Sequence, residues 1–177
     1  METQLTIKHL AAYFPYGLKI LRPDNKTILE MVGIIGSSIV FHEESGDTFG
    51  FIGKHNKPIL RPLSDLTKEI EVNGEKFVPI IYLAKIQYPN VDFQIIENEC
   101  VGRLNCGVVL EFYIEDEIPF YKEFHNNIFG QTKGNDFDDM FLANIKPSEI
   151  REKLLEWHFN VFNLPENVFV DINTLEK

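Results

Sequence analysis

Cysteine, tryptophan and basic clusters are scarce in this sequence of 177 residues, and each scarcity excludes something. There are two cysteines, Cys100 and Cys106, and the first ten residues carry no basic stretch followed by an apolar one, so no secretory signal is read there. One cysteine pair without a signal predicts reduced thiols and a cytoplasmic protein rather than a disulfide framework. Five residues separate the two, whereas zinc sites space their cysteine pairs closer and add a second pair. No apolar run approaches the ~20 residues that a bilayer crossing requires, so no membrane partner is expected. No cluster of Lys and Arg is present, and 17 basic residues stand against 27 acidic ones, a formal net charge of -10. Such a chain repels a phosphate backbone at long range, which disfavours direct nucleic-acid binding.

Aromatic residues are abundant. Fifteen Phe, six Tyr and one Trp predict a ring-rich core and argue against extended disorder. Length and composition fit one domain over residues 1–177 of α+β class: a mainly antiparallel, short-stranded sheet, a few short helices and one C-terminal amphipathic helix.

The regions succeed one another by their periodicities. Residues 3–12 read as a short helix with Thr3 as its cap, ended by Pro15 and Gly17. Residues 18–60 read as β-rich. Within them, 28–35 carries apolar residues on both faces, which predicts a strand covered on both sides. Residues 61–90 read as helix and hairpin: Leu63, Leu66 and Ile70 share a helical side over 61–70, Asn73-Gly74 suits a type I′ turn, and 80–86 supplies another short helix. Residues 91–146 hold strands at 91–96 and 107–114, then an irregular segment over 119–146. In 147–177, Ile150, Leu154, Trp157 and Val161 align on one side of a helix read over 147–163, with Asn163 and Pro165 as its stop, and 168–172 adds an edge strand.

Most motifs for chemistry fail on spacing. Gly53-Lys54 has Thr48 and His55 where a phosphate loop needs Gly and Ser/Thr. Ser37-Ser38 lies in no nucleophile elbow. The histidines His9, His42, His55, His125 and His158 are scattered, and no cofactor is expected. The densest carboxylate group, Asp136, Asp138 and Asp139, is the candidate metal site, because hard cations take several oxygens from a flexible loop. It lacks the calcium-loop spacing, and a solvated loop accounts for it as well.

Three stretches carry a resemblance: 13–19 (YFPYGLK), 61–79 (RPLSDLTKEI with NGEKFVP) and 155–162 (LEWHFNVF). Together they resemble a family of small uncharacterised proteins of phages, prophages and mobile elements of Bacteroidetes bacteria. The central stretch is the most specific, and residues 91–146 take no part. The resemblance implies a protein of the host cytoplasm and implies no catalytic residue.

Two functions follow as expectations. One is a non-enzymatic phage or prophage accessory protein that binds a macromolecule, a protein partner being favoured and a basic nucleic-acid-binding protein being one version. The other is a metal-dependent hydrolase using Asp136, Asp138 and Asp139. A virion structural or assembly role fits the composition equally. Oligomeric state is not legible.

Overall fold

The computed structural model describes residues 5–36, 38–43, 46–51, 56–103, 108–114, 120–126 and 147–175. The fold is α+β, with short, mainly antiparallel strands and a few short helices. By its internal contacts the chain divides into two compact units, Met1–Leu63 with Glu152–Lys177, and Ser64–Arg151.

The first unit opens with helix α1 (Ile7–Tyr13) and a 3-10 turn, η1 (Phe14–Tyr16). Its cap is Thr6, in extended backbone, and the expected cap Thr3 lies outside the described residues. Pro15 is accommodated by the 3-10 turn, and Gly17 ends it at φ 68, where the Glu30 carboxylate leaves little room for a Cβ. A six-stranded sheet follows: β1 (Lys19–Leu21), β2 (Ile28–Ile35), β3 (Ser38–Glu43), β4 (Gly46–Phe51) and β5 (Lys57–Leu60), with β12 (Val170–Asp171) from the far end of the chain. The order is β12-β5-β1-β2-β3-β4. β1 to β4 form the expected meander, but β5 returns to the other side of β1, and β12 joins it in parallel. Leu18, Ile20, Met31, Ile39, Phe41, Leu60 and Phe159 are among the most buried side chains, each contributing about 1.5–3 kcal/mol by leaving water.

In the second unit a 3-10 turn, η2 (Leu63–Asp65, its first residue in the first unit), replaces the helix expected over 61–70. The Leu66 carbonyl accepts from the Ile80 N–H at 2.9 Å, so it is committed outside any continuing helix. Asp65 is buried and meets Lys68 Nζ at 2.7 Å, and Ile70 already begins a strand. The Asn73-Gly74 hairpin joins β6 (Ile70–Val72) to β7 (Glu75–Phe77), both turn residues having positive φ as type I′ requires. Helix α2 (Pro79–Gln87) starts on a proline and lies against β8–β10 of a four-stranded antiparallel meander. Its strands are β8 (Asp92–Ile96), β9 (Glu99–Arg103), β10 (Val108–Ile114) and β11 (Phe120–Asn126). β9 was not expected, and β11 corrects the irregular reading of 119–146 over residues 120–126.

Helix α3 (Pro147–Glu156) buries Ile150, Leu154 and Leu155 and exposes Ser148, Glu149, Arg151 and Glu152. It stops well short of residue 163. His158 takes φ 59, its N–H donates to the Leu155 carbonyl at 3.0 Å, and the Phe159 N–H donates to the Leu154 carbonyl at 2.9 Å. These two bonds are the Schellman termination, with histidine in the left-handed position that glycine usually takes. Trp157, Val161 and Phe162 continue the helical spacing in sequence, but they lie beyond the helix in the turns that follow it.

Candidate functional site

Two features of the first unit bear on function. The first is the corner where residues 157–164 meet α1 and η1. After the left-handed His158 the chain runs beside the end of β5: the Arg61 N–H donates to the His158 carbonyl and the Asn160 N–H to the Arg61 carbonyl, both at 2.8 Å. The Tyr13 hydroxyl donates to the Phe159 carbonyl at 2.6 Å and lies 3.2 Å from the Val161 N–H. Asn160, buried, closes the next loop by pairing its amide with both backbone groups of Leu164, at 2.8 and 2.9 Å. His158 Nε2 stands 2.9 Å from the Tyr16 carbonyl; a carbonyl only accepts, so that nitrogen carries the proton.

Burial pushes the His158 imidazole below its ordinary value; the Tyr16 carbonyl opposes this, Arg61 and Lys19 add to it, and Glu30 counters them. At neutral pH the ring is therefore an uncharged donor. Its neighbours provide a carbonyl, a phenol and fixed charges. The arrangement ties two stretches far apart in sequence together.

The second feature is the outward side of β2. Ile28, Val32 and Ile35 are 43%, 42% and 63% exposed, while Met31 between them is buried. This corrects the expectation of a strand covered on both sides: one side is core and the other is open. Ile28, Glu30 and Val32 alternate on that open side, and an irregularity between Met31 and Gly33 shifts the phase before Ile35. Lys19 faces Glu30 across the β1–β2 ladder, so the apolar row is interrupted by one cross-strand pair of opposite charge. Phe14, on the adjoining turn η1, is 40% exposed.

The residues singled out for chemistry are distributed differently. Asp136, Asp138 and Asp139 lie outside the described residues, as do Cys106, His55 and Gly53-Lys54. Among the described residues no three of His, Cys, Asp and Glu are grouped to hold a metal ion. Cys100 is a buried free thiol pushed up to about 12 by burial, the opposite of a reactive cysteine. His42 is exposed on β3, and Trp157 is buried beside His158. No helix among the described residues is long and apolar enough to cross a membrane. No protein-family model, curated protein or solved structure matches the chain.

Proposed function

We propose that this chain is a non-enzymatic binding protein, a phage or prophage accessory factor of the bacterial cytoplasm, that uses the open side of β2 to hold a basic protein. The observation that carries the reading is the exposure of Ile28, Val32 and Ile35 on a strand whose composition is that of one covered on both sides. Apolar side chains grouped on one strand gain free energy when a partner removes them from water, at about 25 cal/mol per Å². The net charge of -10 selects the partner's sign, steering a basic protein toward the molecule and disfavouring nucleic acid.

The test is capture from host lysate at native expression, comparing the native chain with the double variant Val32→Glu, Ile35→Asp. A control variant, Ile96→Glu, alters an exposed apolar residue of the second unit. The native chain and the control retain one basic protein, and the double variant loses it while keeping its far-ultraviolet circular dichroism. Equal recovery by all three, recovery of no specific protein, or turnover of a metabolite or polynucleotide by the purified chain overturns the reading.

A further inference from the structure

Two histidines flank the corner described above, one on each side of it. His9, at the third position of α1, accepts a hydrogen bond from the Thr6 N–H on its Nδ1, at 3.2 Å. That bond needs the lone pair of a neutral ring; protonated Nδ1 is a donor and meets another donor. The His9 ring lies 4.9 Å from that of Phe162, Phe162 lies 5.8 Å from Tyr13, and Tyr13 lies 6.5 Å from His158. The four rings form one chain that alternates between the N-terminal α1 and the segment after α3. At its far end His158 is anchored to Tyr16 of η1.

We propose that His9 and His158 form a two-proton latch that holds residues 157–163 on the α1–η1 corner and loosens it on acidification. His9 faces the Thr6 N–H and the Phe162 ring, and its burial favours the uncharged form. His158 faces the Tyr16 carbonyl from η1, the Tyr13 ring from α1, Arg61 beyond β5, Lys19 on β1 and Glu30 on β2; two cations against one carboxylate, with burial, disfavour a third positive charge there. Both rings bind protons more weakly in the closed corner than in an opened one. The contact is therefore at full strength above the ordinary histidine value of 6.5 and weakens as pH falls beneath it. Both protons load the same corner, one at each end of the ring chain, so the loss is read there before it reaches the sheet ladder.

Native-state amide exchange of the full chain reads this directly. The Val161 N–H, which points to the Tyr13 hydroxyl and the Phe159 carbonyl, reports the corner; the Ile39 N–H on β3, flanked by β2 and β4, reports the sheet. Between about pH 7.5 and about pH 5.5, protection at Val161 falls relative to Ile39, with the fall confined to the range below the ordinary histidine value and at most about tenfold per pH unit for each titrating histidine. The variant His9→Gln, His158→Asn keeps an acceptor for Thr6 and a residue that tolerates the left-handed backbone at 158, removes both titrating rings, and its Val161 protection stays level over the same range. Parallel loss at both amides, or no loss at either, overturns the latch. Should the double variant fail to fold, titration of the imidazole ring protons in the native chain decides: both histidines titrate below 6.5 and with the change at Val161, and either one titrating at or above that value overturns the proposal.

Discussion

The Tyr13 hydroxyl donates to the Phe159 carbonyl at 2.6 Å across 146 residues of sequence, between two side chains that are both fully buried. This bond joins the N-terminal helix to the segment that leaves α3, in a position where water cannot replace it. Tyr13→Phe keeps the ring's packing and removes the donor from the Phe159 carbonyl. The Val161 N–H retains its 2.8 Å bond to that same carbonyl, so the expected loss is about 1–2 kcal/mol, read as a lower urea midpoint with an unchanged slope.

At residue 158 the ordinary ranking of alanine and glycine reverses. Glycine in a helix is less stable than alanine by about 0.5–1 kcal/mol, but φ 59 penalises any Cβ. Both His158→Gly and His158→Ala lose the bond to Tyr16, and only the glycine variant relaxes the backbone. Chemical denaturation should therefore place His158→Gly above His158→Ala by about 1 kcal/mol. Equal stabilities would mean that the left-handed geometry is not retained in the variants.

The β8–β9 turn offers a gain in stability. Glu97 and Asn98 occupy its two central positions at φ 51 and φ 72, with Ile96 paired to Glu99 across it. This is the type I′ pattern that Asn73-Gly74 also adopts, but with a glutamate where a short side chain or glycine is preferred. Glu97 is exposed, so Glu97→Asn should raise stability by about 0.5–1 kcal/mol, seen as a higher midpoint of thermal unfolding.

These positions also explain what could be read from sequence. Asn73-Gly74 announces its turn because its residue types match the backbone required; Glu97-Asn98 makes the same turn without that signature, so β9 behind it has no turn signal to mark its start. The spacing that predicts a helix over 147–163 outruns the helix itself, because Trp157, Val161 and Phe162 keep a helical spacing after His158 has turned the chain. Histidine at a helix end carries no local warning comparable to glycine's. Of the functional features, β2 was legible as an apolar strand, but its open side was not, since exposure depends on which elements pack over it. The union of His9 and His158 across the Tyr13–Phe162 rings depends on contacts far apart in sequence.

Gly102 on β9 is held by close approach. A Cβ there would come within 2.6 Å of both the Phe93 ring and a Val91 methyl, and both side chains are buried. Neither has free space to yield, so Gly102→Ala should cost about 1–3 kcal/mol by overpacking. Combining it with Val91→Ala should recover part of that loss, and a double-mutant cycle measures the coupling.

Cys100, on the same strand, gives a chemical test of that packing. The thiol is 1% exposed and pushed up to about 12 by burial, so thiolate, the species that attacks an alkylating reagent, is nearly absent at neutral pH. Iodoacetamide applied to the native chain near pH 8 should leave Cys100 unmodified on a timescale that fully alkylates it in denaturing urea. Peptide mass mapping assigns the modification to Cys100 separately from Cys106. Because reaction must await exposure of β9, the slow native rate should follow the opening equilibrium of this unit and rise in Gly102→Ala. Alkylation of Cys100 in the native chain as fast as in urea would contradict its burial.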